Sequence, residues 1–165
     1  MATLESVEIE IVSDDTPDLS FLGEYSNSPG DNAIDRQERG DMSRGEFRYC
    51  NITMSGEDTG NPESVEQDYQ RLESYNRGDW EMVCVRVKAV INTSQSGYGR
   101  THTFRSPGIW GVESDSDKAH FAEMALDELD SLRDDLLELG VDDLDEIDDL
   151  IAEQRKIAMP GIPRS

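Results

Sequence analysis

The sequence predicts an α+β protein: an antiparallel sheet of about four to six strands, a short central helix, and an acidic C-terminal helical pair. Three observations carry that prediction. Apolar residues alternate with period two in several short runs of the first two thirds. A single stretch there, beginning at Ser64, has helical spacing instead. From residue 113 onward the apolar period is helical and the charge is almost wholly of one sign. At 165 residues, 35% apolar and a mean hydropathy of −0.67, the chain supports one compact domain with a modest core. Within it we expect residues 1–112 as the sheet-rich part, residues 113–158 as the helical pair packed on it, and 159–165 as a tail.

Val7 to Val12 alternates, with Val7, Ile9 and Ile11 on one face, as in a half-buried strand. Ser13 to Pro17 breaks the pattern, and an apolar patch follows at Leu19, Phe21, Leu22 and Tyr25. Residues 26–45 are rich in Ser, Asn, Asp, Gly and Arg, punctuated by Pro29-Gly30, and predict a long loop. Glu46 to Met54 alternates again, with Phe47 and Tyr49 on one face and a slip of phase near Cys50. Residues 55–62 read as a turn. Val65, Tyr69, Leu72 and Tyr75 then recur at four, three and three, which is a short helix starting at Ser64 and capped by Gly78.

Trp80 to Asn92 is the strongest strand. Val83, Val85, Val87, Ala89 and Ile91 share one face, and Cys84, Arg86 and Lys88 the other. Residues 94–100 predict a turn, Thr101 to Arg105 a returning hairpin strand, and Ile109 to Val112 a last short apolar piece. A helix should run from about Asp117 to Leu139 with Phe121, Ala125, Leu129, Leu132, Leu136 and Leu139 as its apolar stripe. Gly140 stops it. Asp142 or Asp143 should cap a second helix that turns Leu144, Ile147, Leu150 and Ile151 inward and frays near Met159.

Between Glu113 and Glu153 the chain holds 17 Asp and Glu against only Lys118 and Arg133, so 41 residues carry −15 of the total −22. On the first helix Glu123, Asp127, Asp130, Asp134 and Glu138 recur at four, three, four and four, with Asp135 beside them. At a rise of about 1.5 Å per residue, neighbours in this stripe stand roughly 4.5 to 6 Å apart along the axis, of the order of successive phosphates in a nucleic acid. Asp142, Asp143, Asp145, Asp148 and Asp149 continue the series, and Glu146 and Glu153 lie among them. Such a pattern works against the helix, since like charges at i,i+4 cost about 0.2–0.5 kcal/mol per pair at low salt. Asp134, Asp135 and Glu138 also face the unfavourable end of the helix dipole. A helix tuned for stability alone would interleave lysine. These eleven carboxylates are therefore the candidate partner-binding residues.

Other chemistries find little support. The run starting at Asp115 places His120 where a calcium loop needs glycine, and the run from Asp142 places Ile147 there. His102 and His120 belong to no set with zinc spacing, and His102 reads as a surface or cross-strand residue. Gly97-Tyr98-Gly99-Arg100 is not followed by the Lys-Ser/Thr of a phosphate loop. Cys50 and Cys84 sit in strand-like runs and read as buried free thiols. No nucleophile elbow is present, so we expect neither an enzyme nor a cofactor. Of Trp80 and Trp110, one could stand exposed as a binding anchor. Arg36, Arg39, Arg44 and Arg48 gather in one region, but acids surround them, and the overall field repels a nucleic acid. No run of 18 apolar residues suggests a membrane span, and no basic-then-apolar leader opens the chain, so a cytoplasmic location is expected.

Several segments together resemble a group of small acidic proteins of phages, prophages and plasmids. They are Leu22-Gly23-Glu24-Tyr25-Ser26, Ala33-Ile34-Asp35-Arg36, Glu46-Phe47-Arg48-Tyr49, Asp68-Tyr69-Gln70-Arg71-Leu72-Glu73, Tyr75-Asn76-Arg77-Gly78-Asp79-Trp80 and the run from Gly108 to Asp117. The likeness spans roughly residues 7–139 and brings no site residues with it. What it implies is context, because mobile elements carry small acidic inhibitors of host restriction and CRISPR nucleases. Joined to the charge pattern, the expectation is an inhibitor that occupies the basic nucleic-acid-binding site of a host defence complex, a CRISPR effector or a restriction enzyme. The alternative is a non-enzymatic accessory or interaction protein of a phage, working through its sheet or loop surface. Its acidity would then serve solubility or halophilic adaptation, as three lysines beside 12 arginines also suggest.

Overall fold

The computed structural model describes residues 2–54, 60–95 and 98–159. Among these the elements run β1 (Ala2–Ser13), β2 (Gly23–Ser26), β3 (Ala33–Asp35), α1 (Arg36–Arg39), β4 (Tyr49–Ile52), α2 (Pro62–Asn76), β5 (Met82–Gln95), β6 (Tyr98–Arg105), β7 (Ile109–Glu113), α3 (Lys118–Glu138) and α4 (Asp145–Ala158). The fold is α+β, with every strand pair antiparallel. The strands fall into one sheet of four and one of three. The chain divides into two compact units, one of residues 1–15 and 82–165, the other of residues 16–81. Both acidic helices share a core with β1 and β5 and so belong with them.

In the first unit β5 is the central strand. Its Val-rich sequence suits a pleated surface packed from both edges. β1 lies along one edge, from Ala2↔Thr93 to Ser13↔Val83. The other edge is shared in succession by β7, against Met82 to Val85, and β6, against Lys88 to Gln95. β5 and β6 stay paired as far as Gln95↔Tyr98, so strand enters the segment expected as turn; Ser96 and Gly97 lie outside the described residues. Val83, Val85, Val87, Ala89 and Ile91 are buried, as their alternation predicts. Cys84, on the opposite face, is buried as well. Gly108 explains part of this: it has φ +89°, and a Cβ there would stand 2.4 Å from the Cys84 sulfur. Both cysteines are free, and burial raises both thiols, Cys50 to about 11, which keeps them protonated and inert.

α3, α4 and the connection between them pack on the sheet through Leu129, Leu132, Leu136, Val141, Leu144, Ile147 and Ile151, against Val87, Ala89 and Ile91. Asp117 caps α3, its carboxylate accepting from the His120 amide at 2.8 Å. Gly140, at φ +84°, ends the helix, and the amide of Val141 returns to the Leu136 carbonyl at 3.0 Å. The chain has left the helix by Leu139, which is 49% exposed instead of buried, and Val141 takes the core position instead. At the other end of the stripe Ala122 is buried and Phe121 only partly so. The expected aspartate cap of α4 is also displaced. Its N-cap is Leu144, which cannot cap, and Asp143 instead accepts from the Asp145 amide at 3.0 Å.

In the second unit β4 lies between β2 and β3. Cys50 and Ile52 are buried, while Phe47 lies before β4 and is exposed; β4 pairs with β2 and β3 in unbroken register, so the expected slip of phase near Cys50 does not occur. Residues 26–45 are not a long loop, since they contain β3 and α1. Asp35 caps α1 by accepting from the amides of Gln37 (3.1 Å) and Glu38 (3.3 Å), and Gly40 at φ +78° closes it. α2 begins at Pro62, two residues before Ser64, with Asn61 as its N-cap and Pro62 in the first turn, where its missing N–H costs nothing. Val65, Tyr69 and Leu72 are buried along it. Trp80, also buried, donates its indole N–H to the Arg71 carbonyl and the Ser74 hydroxyl, both at 3.0 Å. The Arg71 guanidinium lies over its ring at 3.8 Å. Residues 55–59, part of the expected turn, lie outside the described residues.

Candidate partner-binding surface

All eleven candidate carboxylates are exposed. Six stand on α3: Glu123, Asp127, Asp130, Asp134, Asp135 and Glu138. Asp142 and Asp143 occupy the connection, and Asp145, Asp148 and Asp149 lie on α4. With 100° per residue, Glu123, Asp127, Asp130, Asp134 and Glu138 cluster on the side of α3 directly opposite Ala125, Leu129, Leu132 and Leu136. Burial of the leucines therefore fixes where the acids point. The stripe covers about 22 Å of helix axis. Asp145 and Asp149 occupy the outer face of α4, opposite Ile147 and Ile151, and the exposed Glu146 and Glu153 extend that face beyond the eleven.

Neighbours in the stripe are closer than the Debye length of about 10 Å at 0.1 M salt, so they act as one field rather than as separate charges. One cation interrupts it. Arg133 reaches from α3 to Asp148 on α4, with Nε at 2.7 Å and Nη2 at 3.4 Å from the two carboxylate oxygens. The Arg133 hydrogen bond holds the Asp148 carboxyl below its ordinary value. Asp148 and Asp143 thus join and order the helices as well as adding charge. A different carboxylate of the block is withdrawn from the field. Glu128 is 9% exposed and accepts from the Gly108 amide at 3.0 Å, which ties α3 to the turn before β7. Among the described residues no group of three or more His, Cys, Asp or Glu is placed to hold a metal ion.

A second constellation lies in the other unit and was not legible as a set. Arg36 is 4% exposed. Its Nη1 donates to the Phe47 carbonyl (2.9 Å) and its Nη2 to Glu46 (2.7 Å), while Nε lies 3.4 Å from Glu73. The guanidinium sits over the Tyr25 ring, 5.0 Å from its centroid. Tyr25 donates to the same Glu73 oxygen at 2.7 Å and accepts from Asn76 at 2.7 Å. Tyr69 donates to Asp41 at 2.7 Å, and Arg39 lies over the Tyr69 ring while pairing with Glu66. Five of the segments quoted for the resemblance supply these side chains, apart from Arg39, Asp41 and Glu66. Burial opposes the charge on Arg36, but the hydrogen bond to Glu46 and the field of Glu73 outweigh it and hold the guanidinium firmly protonated. Tyr25 is raised by burial and by Glu73 and remains neutral. The cluster pairs its charges internally and holds its unit together, although the buried Arg36 Nε makes no hydrogen bond and has only the ion-pair approach to Glu73.

Hydrogen bonds from Arg48, Arg36 and Arg39 hold Asp35, Glu46 and Glu66 respectively below their ordinary values. A carboxylate with a lowered folded pKa contributes stability that is complete above its unfolded value and lost as pH falls through the folded one. The thermal midpoint of this unit should therefore hold steady down to about pH 5 and fall below it, because unfolded carboxyls titrate near 4. Trp80 emission in a Trp110→Phe background reports it. A midpoint unchanged from pH 7 to 3 would show these pairs to be without consequence.

Trp80 is buried, whereas Trp110, on β7, is 53% exposed. His102 is exposed beside Phe104, with ring centroids 6.4 Å apart. No described helix is long and apolar enough to cross a membrane. Comparison of the chain with protein-family models, with curated proteins and with solved structures gives no match.

Proposed function

We propose that α3 and α4 form a rigid polyanion that occupies the basic nucleic-acid-binding site of a host defence complex, a CRISPR effector or a restriction enzyme. One observation carries this reading: every one of the eleven carboxylates is exposed, nine on two helices whose opposite faces are locked into a common core and two on the connection between them. A charge array fixed in this way is preorganised. A basic cleft can bind it without first ordering a flexible tail, whose entropy would count against affinity. The field would speed association and make it sensitive to salt. Binding is by occupancy, with no chemical step and no cofactor.

The direct test is capture of host proteins on the immobilised chain at low salt, repeated with competing duplex DNA. The reading expects a basic nucleic-acid-binding protein to be captured, to be displaced by DNA, and to be lost as salt rises from about 0.05 to 0.5 M. A captured protein that DNA leaves in place would sink it.

A further inference from the structure

We propose that the outer edge of β1 is a strand-addition site for an extended segment in which apolar residues alternate with cationic ones. β1 is the terminal strand of its sheet. It pairs with β5 throughout, and among the described residues its other side carries only a single bridge, Ala2 to Val141. Alternate residues of such an edge direct N–H and C=O outward, ready to pair with another chain. The register with β5 is irregular between Leu4 and Ser6 and unbroken from Ser6 to Ser13, long enough to seat six to eight residues of partner.

Two rows of side chains flank that stretch. Toward the helices, Ile9 and Ile11 border an open apolar cavity of about 250 Å³, walled also by Val85, Phe121, Ala122 and Ile157. Ile11 was expected to be core, yet it is 53% exposed, and Ile157 is 37% exposed. The helices stop short of covering this end of the sheet. On the other face Glu8 is exposed, held among the described residues only by Lys88 at 3.5 Å, whereas Glu10 is already engaged by Arg86 and Arg105. An added strand would set one row of its side chains over Ile9, Ile11 and the cavity, and the alternate row beside Glu8.

Charge decides the occupant. Two copies paired along this edge would bring their Glu8 rows and two chains of −22 together, which like-charge repulsion disfavours. A strand with cations on that row meets Glu8, whose partner Lys88 stands on the β5 side, away from the outer edge. This surface is separate from the acidic helical face and does not depend on what that face binds.

The probe is a labelled peptide, acetyl-Arg-Val-Arg-Val-Arg-Val-amide, titrated into the full chain at about 0.15 M salt, where non-specific attraction to the acidic helices is damped. It should bind at least about tenfold more tightly than its isomer with three Arg followed by three Val, and than its alternately N-methylated form, a difference equal to about 1.4 kcal/mol. Backbone amide signals of Ser6 to Ser13 should shift on binding. Ile11→Glu and Glu8→Lys should each weaken the peptide several-fold, and both sites are exposed enough to keep the fold. Asp127→Lys, Asp130→Lys and Asp134→Lys together should leave the preference for the alternating peptide intact. Equal binding of the N-methylated form would reduce the effect to plain polyanion attraction and overturn the proposal. So would a peptide-free chain that sediments as a dimer with the β1 amides protected, because the edge would then belong to a second copy.

Discussion

Replacing Arg36 by methionine should unfold the unit of residues 16–81 at or near room temperature. Arg36 touches three parts of that unit: the segment before β4 through Phe47 and Glu46, the helix α2 through Glu73, and β2 through the Tyr25 ring. Methionine fills the volume but supplies no donor. It leaves the Phe47 carbonyl without its partner and Glu73 without its countercharge. Breaking a buried pair by removing one member costs about 3–5 kcal/mol, and whole-domain stabilities are only about 5–15 kcal/mol. Arg36→Lys should recover little, because one ammonium cannot donate in a fixed fork to both the Phe47 carbonyl and Glu46 while also lying beside Glu73. The measurement is thermal unfolding followed by Trp80 emission in the Trp110→Phe background, with amide spectra of residues 16–54 and 60–81. A midpoint within about 4 °C of the parent, the equivalent of roughly 1 kcal/mol, would show that Arg36 does not hold the unit together.

Arg36 also marks where the sequence stops being legible. Strands such as β5, and helices such as α2 and α3, announce themselves because many residues repeat one period and the core needs only that repeat. β3 and α1 have three and four residues, too few for any period to register. Their cause is not a repeat: it is a single local cap at Asp35 and a guanidinium whose partners are 10 and 37 residues away along the chain. Among Ser, Asn, Asp and Gly such a segment reads as loop. Leu139 and Ile11 failed for a related reason. Periodicity assigns a face to a residue but does not say where the covering element ends. Gly140 ends α3 one residue after Leu139, and the helices do not extend over Ile11.

The acidic face was more legible, because exposure of a carboxylate is the default and the leucine stripe fixes which way the rest of the helix points. What composition could not separate was the carboxylate that serves the fold. Glu128 looks like its neighbours in the sequence, and only the approach of the Gly108 amide distinguishes it. The tie between Arg133 and Asp148 was hidden in the same way, since it depends on how α4 returns beside α3.

Changing Asp127, Asp130 and Asp134 together to lysine should abolish capture of the basic partner while leaving the helix as stable as before, or more so. All three positions are exposed and lie opposite the buried leucines, so no packing is disturbed. In the native helix Glu123–Asp127, Asp127–Asp130, Asp130–Asp134 and Asp134–Glu138 are four neighbouring repulsions. The variant turns the first and last into attractions and keeps two repulsions, now between lysines. Each i,i+4 change is worth a few tenths of a kcal/mol, and cations also suit the C-terminal half of the helix. Stability and binding should therefore move in opposite directions, which a merely damaging mutation cannot mimic. For the partner the change is severe: the net charge rises by six units from −22, and the middle of the stripe becomes repulsive to a cationic cleft. Binding should fall by more than about a hundredfold at 0.1 M salt, or roughly 3 kcal/mol, with a shallower salt dependence for whatever remains. Neutralisation by asparagine at the same three sites should give an intermediate loss. If acidity serves only solubility, the lysine variant will bind as before and lose solubility instead, and the occupancy reading then fails on its central residues.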